Sequence, residues 1–464
     1  MEIGRKDIFW NFLATFLKIA SSVLLLPVIL RMMSSEMVGI WSIFMTLTAL
    51  ASLFDFGFNP SFTRNVTYVF SGVRSLKANG YEAINIEDSS VDYNLLKGLI
   101  TSMRLFYSCI SLVVFFLFIT IGTLYIQRLL TTYNGDHLDI YIAWILLCII
   151  TAYNLYTLYY DCLLQGKGLI KKSKQIIIVG QSFYLLIASI LILKGLGLIA
   201  IVIAQASSVV IVRTLAYRSF FTAFTKEKLR DAISRPNEEI FRAIYPNALK
   251  IGLTILGGLL VNRSAIIFGS LYLTLGQIAS YGITMQLIGV ITTLAGIYIS
   301  TYQPKIVQLR VENNQQSIKE LYIKGQMILL ITFLFGALGL LFIGPWGLHL
   351  IGSKTQLMPL IITAIALFVS FLEMNHSIAG GILLTKNEVP FFKASLISGF
   401  LVIILLFLFF NFTTLGLFAM IAAPGIAQGL YQNWKWPIVV IQELKITKKD
   451  ISKSLLNMIK LRLE

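Results

Sequence analysis

Twelve times along this chain of 464 residues, a mostly apolar stretch of about twenty residues is followed by a short polar one. A helix of that length, rising about 1.5 Å per residue, spans a bilayer. The stretches lie near 8–30, 37–58, 98–122, 140–163, 175–193, 196–217, 244–268, 277–300, 322–343, 356–377, 391–410 and 414–434. With 57% hydrophobic and 13% charged residues, the chain lies outside the range of soluble domains and reads as an integral, all-helical membrane protein. The first stretch exceeds the roughly 7–15 apolar residues of a secretory signal, and no small-residue cleavage pattern follows. It is expected to remain as the first helix.

The 38 lysines and arginines test that count. Lys18, Lys250 and Arg263 fall inside stretches; Arg31, Arg128, Lys194 and Lys354 fall on one side, and the remaining 31 fall on the other side or toward that end of a stretch, whose ends are placed to within several residues. Such asymmetry supports twelve spans with both termini cytoplasmic. The net charge of +16, which in a soluble protein would suggest nucleic acid, therefore reports topology, and no nucleic-acid partner is expected. The outer loops are short, and 269–276 and 411–413 carry no charge, so no extramembrane catalytic domain fits there. The polar segment 218–243 separates an N-terminal lobe, 1–217, from a C-terminal lobe, 244–434, each with six spans. An even number per lobe gives both the same orientation, as parallel repeats about the membrane normal. Leu163-Leu164 and Leu383-Leu384, each opening a polar turn that carries lysine, are a faint echo of that repeat. The tail, 435–464, places Ile451, Leu455 and Ile459 at helical spacing among lysines, as a basic amphipathic helix lying on anionic membrane lipids would.

Catalytic chemistry finds no foothold. His137, His349 and His376 are scattered, and Cys109, Cys148 and Cys162 show neither disulfide nor metal spacing. There is no GxxxxGK[ST] phosphate loop and no nucleophile with a base and its orienter. No cofactor, no metal and no enzymatic activity are expected. Trp10, Trp144, Trp346, Trp434 and Trp436 fall near span ends, where amphipathic rings anchor in the headgroup layer.

The intramembrane charges are more informative. Lys18 sits near the middle of its span, where an ammonium facing lipid costs ~2.5 to 3.5 kcal/mol, so it is expected to face water or an anion. Arg263 lies deep in the seventh span and is expected to point inward. Lys250, in the same span but about 140° away at ~100° per residue, can instead snorkel toward the cytoplasmic side. Lys18 and Arg263 belong to the first helix of each lobe, and two cations across a wet cleft suit an anion; the planar fork of arginine suits phosphate in particular. Arg64 and Arg104, near the inner ends of spans two and three, are candidates to extend that basic surface, or are ordinary anchors. Glu373 and His376 are three residues apart in the tenth span and share a helix face, as a proton-sensitive or cation-coupling pair would; a counter-ion for a basic group, or a place in the cytoplasmic headgroup layer, is the plainer reading of Glu373. Asp161 reads as interfacial. Asp55, Gly57, Asn59 and Pro60 interrupt the end of the second span, with Gly57 and Pro60 a candidate hinge.

Several stretches resemble a known family. LLLPVILRMMSSEMVGIWSIF, LFDFGFNPSFTRNV, LLQGKGLIKK and VNRSAIIFGSLYLTLGQIASYGI are similar to lipid-linked oligosaccharide flippases of the Wzx type, in the multidrug/oligosaccharidyl-lipid/polysaccharide exporter superfamily. The resemblance implies two six-helix lobes around a V-shaped cleft that opens alternately to either side of the bacterial inner membrane. Through it an undecaprenyl-pyrophosphate-linked oligosaccharide, such as an O-antigen unit, would pass to the outer leaflet, with sodium or protons as a candidate coupling cation and polysaccharide assembly proteins as candidate partners. Lys18, Arg263, Lys250, Arg64 and Arg104 would hold the pyrophosphate while the lobes rock about 218–243. In many such relatives an aspartate precedes the arginine of the seventh span; here that place is Asn262. Two other readings stay open: a cation-coupled drug or metabolite antiporter, which would want acids in the cleft, and a membrane polymerase or acyltransferase.

Overall fold

The computed structural model describes residues 10, 17, 24–70, 72–76, 91–131, 133, 135–311, 314–385, 390–450 and 452. Lys18, with most of the first apolar stretch, and Ile451, Leu455 and Ile459 of the tail lie outside the described residues. Among the described residues ten helices are long and apolar enough to cross a membrane, and they match the second to eleventh expected spans. The chain divides into two compact units, Met1–Leu256 and Gly257–Glu464.

In the first unit, residues 24–32 are helical. There follow α1 (Ser35–Ala51), a 3-10 turn (Ser52–Asp55), α2 (Phe58–Phe70) and α3 (Tyr93–Leu117), which runs through a π-helical turn (Phe118–Gly122) into α4 (Thr123–Leu130). Next come α5 (His137–Tyr156), α6 (Tyr159–Gly166), α7 (Ile170–Leu193), α8 (Gly197–Phe220), α9 (Ala223–Asp231) and the start of α10 (Asn237–Tyr272). Local chemistry sets the ends. Asp92 caps α3 by accepting from the Asn94 and Leu95 amides, and Asp136 caps α5 through the Leu138 amide. The core gathers Phe62, Leu96, Tyr107, Cys162, Leu163 and Phe220, all essentially inaccessible. Lipid is as apolar as leucine, so this core is held by close packing and internal polar contacts rather than by escape from water. Phe116, Ile121 and Leu186 point outward as lipid-facing surface.

Two tryptophans depart from the anchoring expected of them. Trp144 is fully buried, stacked on Phe118 at 5.7 Å with its indole N–H donating to Thr123 Oγ1 at 3.0 Å. Trp436 is buried too, donating to Gln432. Proximity to a span end did not reveal that these rings face protein; Trp346 and Trp434 are exposed.

The segment after α8 is not a loose tether. Thr222 caps α9, and the following strap docks on the start of α3: Arg235 pairs with Asp92 at 3.0 Å, Lys97 donates to the Ala232 carbonyl at 2.8 Å, and the Ile233 amide donates to Asn94 at 2.7 Å. The division between units falls beyond it, inside α10 at Leu256–Gly257.

The second unit holds the rest of α10, α11 (Leu275–Val311), and α12 (Gln315–Leu338), which continues through a π-helical turn (Gly339–Ile343) into α13 (Gly344–Leu350). Then follow α14 (Leu360–Leu384), α15 (Phe392–Phe412), a 3-10 turn (Gly416–Phe418), α16 (Ala419–Gly429) and α17 (Gln432–Glu443). Ile318, Tyr322, Ile382, Leu383 and Val440 form a core between α11, α12, α14 and α17. Leu163 and Leu383 thus both sit in cores, but Leu384 is exposed where Leu164 is buried. Helices α10 and α15 cross at two glycines. A Cβ on Gly257 would meet the Ser395 backbone at 2.6 Å, and one on Gly399 would meet Leu260 Cβ at 2.8 Å. Small residues at such crossings let backbones approach within a bilayer.

The twelfth stretch departs from a continuous span. It breaks at Leu430–Tyr431, where Tyr431 takes φ −144° and ψ −58°, into two short helices, each carrying a proline, Pro424 and Pro437. Each proline removes a backbone donor, and the break carries Gln428, Gln432 and Asn433 into the protein interior.

Candidate functional site

Interrupted backbone at membrane depth is tolerated only where protein buries it or water reaches it. Discontinuous helices accordingly line binding sites in transporters. The α16–α17 break meets that description within the second unit. Gln432 donates to Ser398 Oγ of α15 at 3.2 Å, and His376 Nδ1 of α14 lies 2.8 Å from Asn433 Oδ1. One turn before His376, the half-buried Glu373 lies beside the side chains of Gln428 and Asn262, and the Gln428 amide nitrogen is buried without a hydrogen-bond partner among the described residues. The Arg263 guanidinium and the Glu373 carboxyl both act electrostatically on the buried Tyr281 hydroxyl of α11. Four helical segments thus converge on one carboxyl.

Arg263 occupies the middle of the membrane-length portion of α10, Gly252–Tyr272, and is exposed. It has no ion-pair partner within 4.0 Å among the described residues. Asn262, also exposed, returns its own N–H to the Gly258 carbonyl at 2.9 Å, so its amide oxygen is left to accept from other groups. Glu373 and His376 do share a face of α14, but His376 meets Asn433 of the broken helix, and Glu373 lies beside Gln428 and Asn262.

The other expected residues belong to the first unit. Arg104 is exposed on α3, its Nε donating to Tyr159 at 3.2 Å and its guanidinium 5.8 Å from the centre of the Phe221 ring. Arg64 is exposed on α2. Lys250 lies on α10, thirteen residues before Arg263, and its side chain is outside those described; Lys18 lies outside the described residues altogether. Gly57 and Pro60 flank a true interruption: Phe56 and Gly57 take left-handed φ of 46° and 76° between the 3-10 turn and α2, with Pro60 in the first turn of α2. Asp55 secures the junction, both oxygens accepting from the Asn59 amide at 3.1 Å and Oδ1 from the Tyr107 hydroxyl at 2.6 Å.

Sequence reasoning missed one intramembrane charge. Arg213, near the end of α8, was assigned to the basic side, yet it is 5% exposed; its Nη1 lies 2.6 Å from Asp161 Oδ2, and Nε and Nη2 donate to Asn154 Oδ1 at 3.2 and 2.7 Å. Asp161, expected at the interface, is its counter-ion. The apolar residues on both sides of Arg213, and an aspartate inside the fourth span, were the available signal. The amides of GIAQGLYQN were a similar signal for the seam.

No family model and no curated protein sequence matches the chain. Solved structures do. A multidrug resistance MATE family transporter of the MOP superfamily, inward-facing, superposes with a TM-score of 0.63 at 15% identity over 95% of each chain. The lipid II flippase MurJ, in an inward closed conformation, gives 0.60 at 14% identity over 97% of this chain and 91% of its own. A MOP superfamily transporter from Pyrococcus furiosus, described as having a binding pocket of reversed polarity, gives 0.54 at 15% identity over 95% of each. At these identities the likeness is one of fold: the all-helical, two-lobed architecture that those proteins share.

Proposed function

We propose that the chain is a flippase that carries an undecaprenyl-pyrophosphate-linked oligosaccharide from the cytoplasmic to the outer leaflet of a bacterial inner membrane, its termini cytoplasmic, for surface polysaccharide synthesis. The observation that carries this reading is Arg263: a solvent-accessible guanidinium halfway along a membrane-length helix, without a carboxylate partner among the described residues. Facing hydrocarbon, such a group costs ~2.5 to 3.5 kcal/mol, and its polar neighbours Asn262, Tyr281 and Glu373 argue for a wet face instead. A pyrophosphate offers paired oxygens to the planar fork. Arg64, Arg104, Lys250 and Lys18 are the further cations assigned to the same anion. Glu373 with its amides is assigned to a coupling cation, sodium or a proton.

The second reading, a cation-coupled antiporter, draws on that same acidic seam and on the MATE likeness in fold. A gene-deletion rescue separates the two. Arg263→Ala should let lipid-linked oligosaccharide accumulate while the protein inserts normally, and Arg263→Lys should rescue in part. Full rescue by Arg263→Ala, together with exchange of an organic cation for sodium or protons in liposomes, selects the antiporter.

A further inference from the structure

A groove of about 280 Å³ opens in the second unit and reaches Asn375 of α14, the residue next to His376. Tyr322, Gln326 and Leu330 of α12 form one wall, Pro437 and Ile441 of α17 another, and Ile446 beyond α17 closes one end. Its lining is almost wholly apolar, and Leu330 and Ile441 are exposed at its mouth. The space is at the lower edge of the roughly 300–1,000 Å³ of small-molecule sites, room for part of one hydrocarbon chain rather than a whole lipid.

The charge at the Ile446 end is one-sided. Lys445, Lys448 and Lys449 are all exposed beside it. The segment that carries them is built, not trailing. Lys319 of α12 reaches across to Asp450 at 2.6 Å and to the Lys445 carbonyl at 2.9 Å. Thr447 and Asp450 cap one another, Asp450 Oδ2 accepting from the Thr447 amide at 2.8 Å and hydroxyl at 2.6 Å. Asp450 is consumed in these contacts, so the three exposed lysines keep their charge for something outside the protein. Basic clusters at the end of a groove between membrane helices match lipids with anionic heads.

We propose that this groove holds one acyl chain of an anionic phospholipid, whose phosphate rests on Lys445, Lys448 and Lys449. The slot, apolar but for the Gln326 and Asn375 side chains, favours a hydrocarbon chain. The lysine rim selects charge, and the exposed mouth lets the second chain remain in the bilayer. The lipid would fix α17 against α12, and with it the broken helix that supplies Gln428 and Asn433.

The full-length protein, delipidated in detergent, is offered phosphatidylglycerol or phosphatidylcholine of the same chain composition, and retained lipid is read by native mass spectrometry. Phosphatidylglycerol should survive as a one-to-one adduct where phosphatidylcholine does not. Replacing the three lysines with glutamine should cut its retention at least about tenfold, at roughly 1 kcal/mol per lysine near an anionic surface. Leu330→Trp, filling the mouth at an exposed position, should reduce it as well; if that variant does not fold, the lysine variant alone decides. Equal retention of both lipids, undiminished phosphatidylglycerol on the lysine variant, or displacement by an equal concentration of a polyprenyl phosphate overturns the assignment, the last by giving the groove to an isoprenoid chain.

Discussion

The ion pair inside the first unit makes a demanding prediction. In Arg213→Met the guanidinium is lost but its stem volume is kept. Asp161, whose side chain is 26% exposed against 6% for Arg213, then stands without a counter-ion, and Asn154 loses two donors. Removing one partner of a buried pair costs about 3–5 kcal/mol, chiefly because the survivor is left uncompensated. The converse change, Asp161→Asn, strands the more buried charge and should cost at least as much. In the double variant neither charge remains, so the loss should fall well below the sum of the singles, with a coupling of about 1–3 kcal/mol. Reversible unfolding of the purified protein in mixed micelles, followed by far-ultraviolet circular dichroism, reads all three. Strict additivity, or single variants within about 0.5 kcal/mol of the parent, would show that water reaches the pair and that Arg213 is an interfacial anchor after all.

Other outcomes follow from the geometry. A Cβ at Gly252 would lie 2.6 Å from the Phe56 carbonyl oxygen, backbone that cannot step aside, whereas one at Gly258 meets nothing within 4 Å. Gly252→Ala should therefore cost about 1–3 kcal/mol of stability in a thermal melt, and Gly258→Ala should not destabilise. The Lys319 ammonium, with help from Thr447, lowers the Asp450 carboxyl from 3.8 to about 2. Its contribution to the tail's structure is therefore whole above pH 3.8 and fades as pH falls toward 2. Carboxyl-carbon NMR should find Asp450 still ionised at pH 3 and, in Lys319→Ala, titrating nearer the ordinary value; an unchanged midpoint refutes the contact. Glu373→Gln should leave folding intact but abolish any dependence of transport on a sodium or proton gradient, measured in proteoliposomes. Retained gradient dependence removes Glu373 from coupling.

How much of this was written in the sequence varies with the length of the signal. Ten spans and the all-helical class are legible because each rests on about twenty residues of hydropathy. The break at Tyr431 was not: it falls where Gln428, Gln432, Asn433 and Lys435 lower the hydropathy, so the stretch reads as the polar end of a span, not as backbone turned toward protein. Arg263 was legible as a costly charge, but the neighbours of Glu373 were not, because Asn262, Tyr281 and Gln428 arrive from three other segments. Arg213 hid in plain view: four residues from an assumed span end, it looked like an anchor, and only the fold brings Asp161 and Asn154 to it. The Trp144 and Trp436 rings show the same limit, since distance along the chain from a span end says nothing about which way a ring faces.

The central claim is that the positive charge halfway along α10 faces water. In a background with Cys109, Cys148 and Cys162 replaced, single cysteines at Arg263 and at the outward-facing Phe335, 73% exposed on α12, are treated with a membrane-impermeant maleimide in native membrane vesicles. The account predicts rapid labelling at position 263 and almost none at 335. Equal inertness at both positions would place Arg263 against lipid or dry protein and contradict the phosphate-carrying role assigned to it.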